Sequence, residues 1–135
     1  MREVEVSEFV LARPPAVHRV LSPAAIVAAE GTFDVVERRE VDGDTAIVAS
    51  APGVTVLLRF EEREHGLAYA AEGEVGPFDH LETEVVVHPE KNGSQVTMRS
   101  TVSLNLPLPA ADRIAAWKRR GELQRALDEL VADVA

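Results

Sequence analysis

Four side chains in one short run could hold a metal. His80, Glu82, Glu84 and His88 share one parity, so on a strand they project from one face and offer two nitrogen and two oxygen donors of the kind zinc accepts. Residues two apart on a strand are separated by roughly 7 Å, too far for one ion unless neighbouring strands join in. A solvated face, with the carboxylates paired to Arg59 or Arg99, is the competing use, and no metal site is expected. Glu8 is a second candidate: it shares the parity of Val4, Val6 and Val10, and in an apolar hollow its raised pKa would suit a general acid or base. A bulge that turns it to water is the competing reading. Tyr69, Thr83 and Ser100 fall on inward positions of their strands, with Arg120 and Gln124 facing them from a helix. Together they could orient a carbonyl or a polar headgroup, or bond only to one another and to trapped water.

The elements that would position these groups follow from pattern. Ala110 to Val134 opens after Leu106-Pro107-Leu108-Pro109 and contains no proline, which predicts a long helix. Leu123, Leu127, Leu130 and Val134 recur at spacings of four, three and four and draw one buried stripe. In the first half the stripe turns toward Ile114 and Trp117, Gly121 sits at the join, and Arg113, Arg120 and Gln124 fall on the inward side. A helix of this kind either bends at the glycine or faces a space that core does not fill. Trp117, the single tryptophan, is then either core or the rim of that space.

Upstream, Glu3 to Ala12 alternates as a strand with two mixed faces, suited to an edge or a bulge. Two short helices follow, Ala16 to Leu21 and Ala24 to Ala29, the second capped by Ser22-Pro23 and ended by Glu30-Gly31. Six strand-like runs come next: Thr32 to Glu40, Thr45 to Ser50, Val54 to Arg63, Leu67 to Glu74, His80 to His88 and Gln95 to Leu106. Each of the first five is closed by a turn signal, such as Asp42-Gly43, Pro52-Gly53 or Asn92-Gly93, while the last leads into the helix, and such short links force an antiparallel meander. Val56, Leu58 and Phe60 oppose Thr55, Arg59 and Glu61; Leu81, Thr83, Val85 and Val87 oppose Glu82, Glu84 and His88. Val96, Met98 and Val102 oppose Thr97, Arg99 and Thr101. One face is dry and the other wet, as a sheet covered by a helix on one side requires.

Composition narrows the classes. The chain has 135 residues, enough for one domain, spanning 1–135, with a real core. It has no cysteine, which removes disulfides and thiolate metal sites. The net charge of −9 opposes binding to nucleic acid phosphates, and Lys118-Arg119-Arg120 is too short a basic run to reverse that. No apolar run reaches the roughly 18 residues of a membrane span, and Met1-Arg2-Glu3-Val4-Glu5 lacks the pattern of a secretion signal, so a cytoplasmic protein is expected. Lys91 and Lys118 are the only lysines; so acidic a surface suits a salt-loving microbe, or reflects codon bias alone. No Ser-His-Asp set and no Gly-rich phosphate loop is present, and no cofactor is implied.

The order of elements resembles the SRPBCC or START-like superfamily, which has the helix-grip fold. The likeness covers nearly the whole chain and rests on Ala12-Arg13-Pro14-Pro15-Ala16-Val17-His18-Arg19-Val20-Leu21-Ser22, on Gly73-Glu74-Val75-Gly76-Pro77-Phe78, and on Ala116-Trp117-Lys118-Arg119-Arg120-Gly121-Glu122-Leu123. It implies an α+β fold in which a curved seven-stranded antiparallel sheet wraps a long C-terminal helix, with two short helices after the first strand. It also implies a hydrophobic cavity between sheet and helix, for a lipid, quinone or polyketide-like molecule. Val56, Leu58, Phe60, Tyr69, Thr83, Val85, Met98, Ser100 and Val102 would line that cavity from the sheet, and Trp117, Arg120, Gly121 and Gln124 from the helix. Two alternatives stand beside binding. One is a cyclase- or dehydratase-like enzyme of the polyketide branch, using Glu8, Tyr69 or Arg120. The other is a protein-interaction module, as the superfamily's Hsp90-activator domain permits. The strand beginning at Glu3 could also pair with a second copy to make a homodimer.

Overall fold

The computed structural model describes residues 1–72, 78–104, 106, 108 and 110–134, without the side chain at position 78. Its elements are β1 (Arg2–Val10), α1 (Pro14–His18), α2 (Pro23–Glu30), β2 (Asp34–Val41), β3 (Asp44–Ala51), β4 (Val54–Arg63), β5 (Gly66–Glu72), β6 (Phe78–Glu90), β7 (Gly93–Leu104) and α3 (Ala111–Val134). The seven strands form one antiparallel sheet in the order β1-β7-β6-β5-β4-β3-β2, so β2 to β7 make the expected meander. β1 closes it beside β7, as an edge strand. This is the helix-grip arrangement, with α3 packed along β1 and β7 and against α2. Among the described residues no helix is long and apolar enough to cross a membrane.

Local chemistry explains most boundaries. α1 starts two residues earlier than the pattern predicts, because Pro14 and Pro15 suit the first helical turn, where a missing N–H costs nothing. The Ser22 hydroxyl accepts from the Ala25 amide at 3.2 Å and caps α2. Asp42 and Gly43, at φ 50° and 87°, form the tight β2–β3 turn. Asn92-Gly93 behaves differently: Lys91 takes the left-handed position at φ 52°, and Gly93 is already in β7. A Cβ there would lie 2.2 Å from the Val10 carbonyl oxygen, so this glycine serves close strand packing. The turn expected at Val75-Gly76-Pro77 lies outside the described residues, as do positions 105, 107 and 109.

β1 pairs with β7 in unbroken register from Arg2 opposite Val102 to Val10 opposite Ser94, so Glu8 keeps the parity of Val4, Val6 and Val10 and no bulge turns it away. The bulges fall in β2 between Val35 and Glu37 and in β6 between Phe78 and His80. The outer face is polar: Arg99 bridges Glu3, Glu5 and Glu84 at 3.5–3.6 Å, and Arg59 meets Asp44 at 3.1 Å. On the inner face Val56, Leu58, Phe60, Val85, Met98 and Val102 are all buried, and with Leu123, Leu127 and Leu130 they form one core.

Candidate functional site

A row of residues in register crosses the inner face: Phe60 opposite Tyr69, Tyr69 opposite Thr83, Thr83 opposite Ser100, and Ser100 opposite Val4. Three hydroxyls therefore stand side by side on β5, β6 and β7 in an otherwise apolar layer. Buried polar groups need partners, and α3 supplies Arg119, whose side chain is 2% exposed. The guanidinium donates from Nε to the Ser100 hydroxyl at 3.0 Å, and from Nη2 to Thr83 and Tyr69 at 2.6 Å and to the Glu30 carboxylate at 2.8 Å. From Nη1 it reaches Thr32 at 3.2 Å and Glu122 at 3.4 Å.

Glu30 is the last residue of α2, and Gly31 follows in the left-handed conformation at φ 73°. That glycine lets the chain leave the helix sharply enough to aim Glu30 inward. A carboxylate at a helix C-terminus opposes the helix dipole, and Arg119 compensates. Tyr69 also donates to both Glu30 oxygens, at 2.6 and 2.7 Å. Burial pushes the Glu30 carboxyl above the ordinary range, against the pull of Arg119 and of the Tyr69 hydrogen bond. Burial likewise holds the Tyr69 phenol well above its usual range. It works against the Arg119 charge too, but the facing Glu30 and Tyr69 outweigh it and raise the guanidinium pKa.

The helix face differs from the expected one. Arg120, Gly121 and Gln124 are exposed, as is Arg113, and Trp117 is 78% exposed. Trp117, Arg120, Gly121 and Gln124 border an outer groove beside Gly31, and nothing lies within 4 Å of a Cβ built on Gly121. The buried face is instead Ala111, Ala115, Ala116, Arg119, Glu122, Leu123, Ala126, Leu127 and Leu130. Stepping back from Leu127 by four gives Leu123, and by four again Arg119, then Ala116 or Ala115. The small alanines carried this signal; the larger Ile114 and Trp117 concealed it. Glu30, Thr32, Arg119 and Glu122 had no other mark in the sequence.

The hollow beneath α3 is also displaced. It measures about 330 Å³ and lies under the first half of the helix. Its described walls are Phe33, Ala51, Pro52, Val54 and Leu104 from the sheet side and Ile114, Ala115 and Lys118 from α3. Thr32, Arg119 and Glu122 form its polar end. None of the side chains expected to line a cavity borders it: those of the sheet are closed core, and Tyr69, Thr83 and Ser100 hold Arg119 from behind. Two other depressions, over Ala68 and Ala70 on the outer face and between His18 and the β4–β5 turn, are walled largely by charged side chains.

Glu8 sits at the other end of α3. One of its carboxylate oxygens is shielded and has no hydrogen-bond partner; desolvation, then the nearby Asp128 charge, raises its pKa. On the outer face His80 approaches Glu82 at 3.4 Å and Glu84 pairs with Arg63 and Arg99, while His88 packs on His65 with ring centres 5.0 Å apart. Among the described residues no three His, Asp or Glu side chains are placed to hold a metal.

Three solved structures show how widely this fold recurs. A protein from Thermus thermophilus is 22% identical, with a TM-score of 0.75 over 98% of this chain and 97% of its own. A START superfamily protein from Mycobacterium smegmatis is 15% identical, with a TM-score of 0.68 over 98% of this chain and 99% of its own. The Zhui aromatase/cyclase from a Streptomyces species is 14% identical, with a TM-score of 0.68 over 98% of this chain and 93% of its own. No family model matches the chain, and no curated protein matches it in sequence.

Proposed function

We propose that the protein binds a small hydrophobic or amphipathic molecule in the hollow between the first half of α3 and the sheet. One observation carries the reading: a largely apolar space of about 330 Å³ has its polar atoms gathered at one end, at Thr32, Arg119 and Glu122. Apolar burial would supply the affinity and the polar end the orientation. The volume is at the lower limit of the roughly 300–1,000 Å³ of small-molecule sites, which favours a small aromatic molecule or a single short chain over a two-chain lipid. The fold likeness to a START superfamily protein and an aromatase/cyclase supports the same class.

The cyclase or dehydratase alternative is weaker on placement. Tyr69 is sealed behind Arg119, Arg120 points outward and Glu8 lies at the far end, which leaves Glu122 as the only carboxylate among the hollow's described walls. The hollow also speaks against the packed interior that an interaction module would have.

Uptake of the neutral, compact dye N-phenyl-1-naphthylamine tests the reading. Its fluorescence should rise with the native protein and fail to rise with Ala115→Leu, whose side chain occupies the hollow, while the melting transition persists. Equal signals from both proteins, or none from the native one, would overturn the proposal.

A further inference from the structure

The hydrogen bonds around Arg119 set what the hollow accepts, given that it binds a ligand as proposed above. Arginine has five N–H bonds. Those of Arg119 face six acceptors: Ser100, Thr83, Tyr69, Glu30, Thr32 and Glu122. Three of the four hydroxyl protons around it are also committed, and that of Thr32, at the polar end of the hollow, has no acceptor among the described residues. Ser100 donates to the Glu82 carbonyl at 2.8 Å, so the 3.0 Å contact between Thr83 and Ser100 has Thr83 as donor, and Tyr69 donates to Glu30. The guanidinium thus has no donor left for a ligand, although it is the most conspicuous positive charge near the hollow.

What the hollow does offer is acceptor capacity. Glu122 is almost fully buried, its contact with Arg119 is long at 3.4 Å, and it borders the space. Two carboxylates, Glu30 and Glu122, stand against one guanidinium in this cluster, so the polar end is electrically negative when both are ionised. An incoming carboxylate would meet the like charge of Glu122 and, with the Arg119 bonds intact, would have only the Thr32 hydroxyl and the exposed Lys118 as donors. An amine or hydroxyl would satisfy Glu122 without disturbing the network. Lys118 lies at the mouth, solvent-exposed, where attraction to an anion is screened.

We infer that the hollow selects an apolar molecule ending in a hydrogen-bond donor, an amine or an alcohol, held by Glu122, and discriminates against carboxylates.

Displacement of N-phenyl-1-naphthylamine by octylamine, octanol and octanoate at neutral pH tests this on the native protein. Octylamine and octanol should displace the dye at concentrations at least about tenfold below that needed for octanoate. In Glu122→Gln, which keeps an acceptor beside Arg119 and is checked for an intact melting transition, the amine should lose its advantage over octanoate, whose own displacement should improve. Octanoate binding as well as or better than the other two in the native protein would overturn the inference while leaving the binding site itself intact. An unchanged order in Glu122→Gln would remove Glu122 as the selecting group. Failure of the dye to bind at all would end both readings together.

Discussion

The two halves of α3 lie on the same sheet and meet it in opposite ways. From Leu123 onward, Leu127 and Leu130 interlock with Val10, Val17 and Val96, leaving a void of about 10 Å³, enough for one water at most. Before Leu123 the buried positions are Ala111, Ala115, Ala116 and Arg119, and the space beside them is about 330 Å³. Leucines close one end because each fills the gap between helix and strands; alanines keep the other open because they do not. Arg119, with its hydroxyl row and Glu30, stands between the two as a partition. One end of the helix provides stability, and the other provides room.

The sharpest way to break this comparison is to remove the partition. Arg119→Met leaves Glu30 buried without its counter-charge and four hydroxyls short of a partner, and should cost about 3–5 kcal/mol. Adding Glu30→Met to it should recover part of that loss, because the stranded charge is gone. Chemical denaturation of the three proteins measures both, and a loss below about 1 kcal/mol for the single variant would mean that the ion pair does not organise the helix. Next in size is the closed end. Leu127→Ala should cost about 2–5 kcal/mol through the cavity it leaves, whereas Ala115→Leu at the open end should cost little, because the room already exists. Similar costs at both positions would show that the two ends are packed alike. The smallest effect concerns pH. The Glu8 carboxyl is raised above its ordinary value of 4.5, first by desolvation and then by Asp128. Its contribution is therefore complete below the unfolded value and lost as pH rises through the folded one. Glu8→Gln should flatten that decline in a series of denaturation curves above pH 4.5; an unchanged slope would place the carboxyl in water.

Most of the fold was legible because the signals were local. Asp42-Gly43 names its turn through backbone sterics, Ser22-Pro23 names a helix start, and the alternation of Leu81, Thr83, Val85 and Val87 assigns faces two residues at a time. The inward placing of Tyr69, Thr83 and Ser100 came from the same parity. The helix phase was harder: Trp117 and Ile114 look buried by composition, yet both are exposed, and a one-position difference separates Arg120 outside from Arg119 within. Parity on a strand has only two answers, while a helix has a full circle and needs the small residues to be read with the large.

By itself, then, the chain's alternation and its turn residues determined the element order, the antiparallel meander and the two faces of the sheet. Tertiary structure alone decided that Glu30, ninety residues before Arg119 to within one position, would be its counter-ion, and that the unfilled space would lie under alanines rather than beneath Gly121. The reason is physical: backbone preference acts over a few neighbouring residues, but the partner of a buried charge and the volume left between two surfaces depend on distant groups brought together by packing.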